Sequence, residues 1–168
     1  MGRLVRLILR RDRVRLPLWV LALVALMAMS AQSIRSLYGT DEAARAYVAT
    51  VGHNPALMMF AGPGYGFDRP TAGVVLVNET QLWLALACAL MSVFLVNRHT
   101  RAEEESDRAD LVRSAVVGRH APVVAALAVA VGANLAVAAG ILVVTLAFGF
   151  PLVGTLALAA SIGLAGMA

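Results

Sequence analysis

The sequence predicts an all-α integral membrane protein: an amphipathic N-terminal helix, about four transmembrane helices, and so part of a larger helical bundle. Three observations carry this. Of the 168 residues 60% are hydrophobic and the mean hydropathy is +0.79, well above the ~45–50% apolar content of soluble domains. Apolar runs of membrane-crossing length alternate with charged or Gly/Pro-containing segments. All fourteen basic residues are arginine, and they gather in the segments that flank those runs.

Residues 1–15 carry six arginines against one acid, Asp12. On a helical wheel Arg3, Arg6, Arg10 and Arg13 share a face, and Leu4, Val5, Ile8 and Leu9 lean the other way. This pattern predicts an interfacial helix lying on an anionic, cytoplasmic leaflet; a basic flank without structure of its own is the plainer alternative. Residues 16–37 make the first span, with Pro17 tolerated in its first turn. A cleaved signal peptide is the weaker rival, because the basic lead is long and further spans follow. Residues 38–73 form a polar extracytoplasmic segment with short helices. Thr40 stands as an N-cap before Asp41 and Glu42, and Ala44, Tyr47, Val48 and Val51 trace one face that Gly52 ends. Asn54-Pro55 opens a second short helix, which the glycines around Pro63 break.

Residues 74–97 are the second span. Glu79 lies in it, and an ionisable residue inside a span is a functional hypothesis by default. Eighteen residues separate it from Asn97, or ~27 Å of helix, which puts it near the outer interface as a possible vestibule residue. Residues 121–148 form the third span. Gly132, Ala136 and Gly140 recur every four residues as a small-xxx-small stripe for helix packing. Asn134 falls near the midplane, where an asparagine acts as interhelical glue more often than as a substrate contact. Gly149-Phe150-Pro151 reads as a tight turn. Residues 152–168 begin a fourth span, with ~25 Å of helix against a ~30 Å core. The expectation is therefore a section of something longer.

Between the second and third spans lies the distinctive stretch, residues 98–120. It holds five arginines and five acids. The spacing predicts a helix from about Arg101 to Val117, opened by a capping box in Thr100-Arg101-Ala102-Glu103. Glu103, Asp107 and Asp110 form an acidic stripe, and Glu104 with Arg108 makes a favourable i, i+4 pair. Two readings stand: a solvated helix that merely joins two spans, or a docking helix offered to a soluble partner on the cytoplasmic side.

Several functions are set aside. No basic face interleaves with aromatic residues, so nucleic acid is not an expected partner. Phosphate-loop, HExxH and GxSxG patterns are absent from the sequence, and no cofactor or metal is expected. His99 and His120 stand too far apart along a helix to share a metal. Cys88 is the sole cysteine and forms no internal disulfide. The chain itself is not expected to be an enzyme.

The run Arg98-His99-Thr100-Arg101-Ala102-Glu103-Glu104-Glu105, with Arg108, Leu111, Arg113 and Val117-Gly118-Arg119, carries a resemblance that Asn54-Pro55-Ala56 and Gly62-Pro63 support. With these residues the sequence resembles an ABC exporter permease, in the actinobacterial branch of polyketide-antibiotic (tetronasin-type) exporters. The order of elements is similar too, over nearly all of this chain and the N-terminal portion of a family member. The resemblance implies that residues 1–15 are an elbow helix on the inner leaflet and that residues 98–120 contain a coupling helix. Arg101, Glu103, Glu104, Glu105, Asp107, Arg108, Asp110 and Arg113 would then dock a separate ABC ATPase subunit. It implies further permease spans or a second permease half as partners, and efflux of a hydrophobic compound such as an antibiotic. A small structural or assembly membrane protein without transport is the rival from another class.

Overall fold

The computed structural model describes residues 2–104 and 121–168, with side chains described for 2–100 and 121–168. Among the described residues there are seven helices: α1 (Gly2–Arg11), α2 (Arg15–Tyr38), α3 (Asp41–Val51), α4 (Pro55–Ala61), α5 (Ala72–Glu104), α6 (Ala121–Ala147) and α7 (Leu152–Met167). No strand occurs among them. Three of these helices, α2, α5 and α6, are long and apolar enough to cross a membrane, and α7 is a shorter apolar helix. Most of their surface faces outward and is apolar, with Leu21, Leu86, Leu135 and Val143 each more than half exposed. Such a surface suits lipid or further protein rather than water.

The bundle core is thin and made of alternating large and small residues. Leu23, Met27, Ala31 and Ile34 of α2 meet Leu84, Cys88 and Met91 of α5, Val137 and Ile141 of α6, and Leu158 and Ile162 of α7. Ala31 of α2 and Ala159 of α7 are small residues buried in this core, which matters where packing rather than water exclusion holds spans together. α1 lies against the start of α6: Leu4, Val5 and Ile8 pack on Ala125, Ala126, Val129 and Ala130. A second apolar cluster thereby closes one end of the bundle.

Local signals place the small helices at the opposite end. Thr40 accepts the Ala43 amide and starts α3, and Asn54 accepts the Ala56 and Leu57 amides at 3.0 and 3.3 Å to start α4. Ala44, Tyr47 and Val51 are the buried face of α3. Gly62 ends α4 at φ +87°, and Gly149 turns the chain from α6 to α7 at φ +76°, both conformations that a Cβ disfavours. The Arg35 guanidinium lies over the Phe150 ring at 5.4 Å, pinning that turn to the end of α2.

One expectation is corrected. Thr100 does not open a new helix: α5 runs without a break from Ala72 to Glu104, and the Thr100 hydroxyl donates back to the Val96 carbonyl at 3.0 Å. No glycine or proline stands between Gly73 and Gly118 to stop it, and a threonine inside a helix satisfies itself by bonding four residues back. The capping-box pattern is thus read through by a helix already under way.

Candidate functional site

Polar groups meet at three levels along α5, and each junction ties that helix to a different part of the chain. At the α1 end, Asp12 sits in the turn between α1 and α2, its amide on the Ile8 carbonyl and its own carbonyl on the Leu16 amide. The turn carries its carboxylate inward, to 4% exposure for the residue. There one oxygen lies 2.5 Å from His99 Nε2 and the other 3.1 Å from Arg98 Nη1. A carboxylate out of water is tolerated only when paired, and here two successive residues of α5 pair it. Arg98 keeps a third of its side chain exposed, while His99 is enclosed.

Midway along the bundle, Asn134 of α6 is fully buried. Its amide donates to Ser92 Oγ of α5 at 2.7 Å and to the Gly166 carbonyl of α7 at 3.0 Å, and Ser92 also donates to that carbonyl at 2.6 Å. Three helices therefore share one small polar knot in an apolar setting.

At the far end the Tyr47 hydroxyl of α3 meets two neighbours on α5, Asn78 Oδ1 at 2.8 Å and the Glu79 carboxylate. The Asn78 amide reaches the Gly62 and Pro63 carbonyls behind α4. Tyr38 and Phe67 stand edge-on to the Tyr47 ring. Burial, then the hydrogen bond and charge of Glu79, push the Tyr47 phenol well above the usual tyrosine range. It stays neutral and acts as a donor. Nearby, an apolar cleft of about 330 Å³ opens beside Tyr65, Val77, Phe150 and Thr155.

The residues singled out from sequence are placed as follows. Arg3, Arg6 and Arg10 are exposed on α1, whereas Arg13 is exposed in the turn beyond its end at Arg11. Glu79 is exposed apart from its bond to Tyr47. Gly140 packs on Val24 of α2, while Gly132 and Ala136 look outward from the bundle and Gly132 has open space beside it. Arg101, Glu103 and Glu104 fall in the last turn of α5, with their side chains outside the described residues. Glu105, Asp107, Arg108, Asp110 and Arg113 lie outside the described residues altogether. The partners Asp12, Ser92 and Asn78, and the hydroxyl contacts of Tyr47, are what sequence did not single out. A lone acid among six arginines was the one available signal for Asp12.

Long apolar helices joined by buried polar knots define an all-α membrane protein. Over 137 residues, 81% of the chain, the sequence is 40% identical to the multidrug efflux system permease protein Rv1217c of Mycobacterium tuberculosis (strain ATCC 25618 / H37Rv). The match covers 24% of that protein, so the chain spans about a quarter of the length of this curated relative. No family model matches the sequence.

Proposed function

We propose that this chain is a section of an efflux permease whose work is driven by a separate ATP-hydrolysing subunit, and that residues 98–120 receive that subunit. The carrying observation is the 40% identity to a multidrug efflux permease. The continuous α5 adds to it, since the polar stretch begins as a direct extension of a membrane-length helix. A force applied to residues 98–104 passes directly into the rest of α5, of which they are the last turns. α1 would lie on the inner leaflet with Arg3, Arg6, Arg10 and Arg13 toward lipid headgroups. Six arginines in residues 1–15 and Arg98 mark this end, against Arg35, Arg45 and Arg69 at the other, an asymmetry that favours a cytoplasmic α1 end. The acidic stripe of Glu103, Asp107 and Asp110, with Arg101, Glu104, Glu105, Arg108 and Arg113, would form the docking surface. The cargo would be a hydrophobic compound such as an antibiotic, moved along a path completed by further spans.

The test is photocrosslinking from position 107 in the native membrane, followed by identification of the captured protein. Capture of an ATP-binding cassette subunit is the expected result. Charge reversal of Glu103, Asp107 and Asp110 should then abolish stimulated ATP hydrolysis and efflux while membrane insertion persists. Undiminished efflux in that variant would remove the docking role.

A further inference from the structure

A cleft of about 260 Å³ lies between α2 and α5 at the α1 end, and neither the helix packing nor the proposed coupling uses it. Its walls are graded. Asp12, Arg15 and Arg98 supply its polar lining, and Leu16, Trp19, Met91, Phe94 and Leu95 the rest. α2 leads away from Arg15 and α5 leads towards Arg98, so Trp19 and Phe94 each lie four residues from their arginine on the same side. Four residues are ~6 Å of helix. The two rings come together at that depth, 6.5 Å between centroids, and both are partly exposed on the flank of the bundle.

Among the described residues the charge balance at the mouth is positive. Asp12 is taken up by His99 and by one nitrogen of Arg98. Arg98 retains further N–H donors, and among the described residues Arg15 has no carboxylate at ion-pair distance. Two guanidinium groups above an aromatic and aliphatic slot, on the side of an apolar bundle, match a single kind of molecule: one with a phosphate head and hydrocarbon tails. Arginine suits phosphate because its planar fork can hold two oxygens at once. Aromatic side chains at the next level are the usual lining of the zone where headgroup gives way to acyl chain.

We propose that this cleft binds one anionic phospholipid, its phosphate between Arg15 and Arg98 and its upper acyl chain along Trp19 and Phe94. The site is independent of the transport reading and needs only that the bundle lie in a bilayer. A bound lipid there would bridge α2 to the very turn of α5 that holds Asp12.

The test is native mass spectrometry of the purified full-length protein from nanodiscs containing equal dioleoylphosphatidylglycerol and dioleoylphosphatidylcholine. One phosphatidylglycerol retained in preference to phosphatidylcholine is expected. Arg15→Gln should weaken its retention roughly five-fold, the effect of about one interfacial arginine. Arg15→Lys, which keeps the charge but not the fork, should fall between the parent and Arg15→Gln, and Trp19→Ala should weaken both lipids. Arg11→Gln removes the same charge from an exposed position outside the cleft, and should change little. Equal losses in Arg11→Gln and Arg15→Gln would overturn the proposal, as a diffuse basic surface then suffices. Equal retention of the two lipids would overturn it too. Displacement of the lipid by millimolar inorganic phosphate would reject the lipid in favour of a bare anion site.

Discussion

Replacing Asp12 by alanine tests the junction on which the α1 end depends. The carboxylate is 5% exposed and faces two partners of different burial. Removing one member of a fully buried ion pair costs ~3–5 kcal/mol, because the other charge is stranded. That ceiling does not apply in full here. Arg98 is 35% exposed and can turn its guanidinium to water, so its share resembles a surface pair, at most ~1 kcal/mol. His99 is 7% exposed and has no such escape. Its Nε2 would be left without a partner, a penalty of ~1–3 kcal/mol. The sum is about 1–4 kcal/mol for Asp12→Ala. Asp12→Asn keeps the shape and one acceptor, so its cost should be about half as large. The assay is reversible unfolding of the full-length protein in mixed micelles titrated with sodium dodecyl sulfate. Arg10→Gln, exposed two residues away, serves as the control and should fall within ~0.5 kcal/mol of the parent. A double-mutant cycle between Asp12→Asn and His99→Gln should return a coupling above ~0.5 kcal/mol. An Asp12→Ala variant as stable as the Arg10 control, or strict additivity in the cycle, would refute the reasoning.

Three further outcomes follow from the other contacts. Asn134→Ala should cost ~0.6–1.7 kcal/mol in the same titration, the span measured for hydrogen bonds between membrane helices; a neutral result would mean the knot with Ser92 and Gly166 contributes nothing net. Gly140→Leu should destabilise the bundle by about 1–3 kcal/mol because its side chain would drive into Val24, while Gly132→Ala, with open space around it, should not; equal effects would show that the stripe acts as a unit. Tyr47→Phe should cost about 1 kcal/mol at neutral pH through the lost bonds to Asn78 and Glu79. Its pH dependence has a definite sign. The folded phenol titrates above its unfolded value of about 10. Above that pH the unfolded chain has released the proton while the folded chain retains it, so stability from this group is complete below about pH 10 and falls as pH rises further. The phenylalanine variant should lose that alkaline decline, and an unaltered alkaline limb would assign it to another group.

What the sequence made legible was mostly local. Thr40 and Asn54 cap the helices they precede because capping needs only the next three residues. The buried face Ala44, Tyr47 and Val51 follows from period alone. Asn134 announced itself as a bond donor, since a polar group at that depth must find a partner; which partner depended on helix pairing, and neither Ser92 nor the Gly166 carbonyl carries a mark in the sequence. Asp12 was hidden for the same reason. Its meaning comes from residues 98 and 99, brought to it by the fold of α1 and α2. The stripe on α6 illustrates a limit of spacing: steps of four advance by slightly more than a turn, so Gly140 is rotated roughly 80° from Gly132. One faces α2 and the other faces out.

The placement of the polar junctions gives α5 a role that its composition does not announce. It is in contact with α2, α3, α4, α6 and α7, and it supplies a partner at every junction: Asn78 and Glu79 to Tyr47, Ser92 to Asn134, Arg98 and His99 to Asp12. Apolar packing between membrane helices permits sliding, because one aliphatic contact replaces another at small cost. A buried hydrogen bond does not, since a shift of ångströms leaves its enclosed groups without partners. Three such bonds spaced along one helix fix its register against the rest of the chain. Any movement imposed on the end of α5 at Glu104 must therefore carry the α1–α2 turn with it, or break the Asp12 junction first. The weakest of the three junctions decides which, and the Asp12 cycle measures the one nearest the applied force.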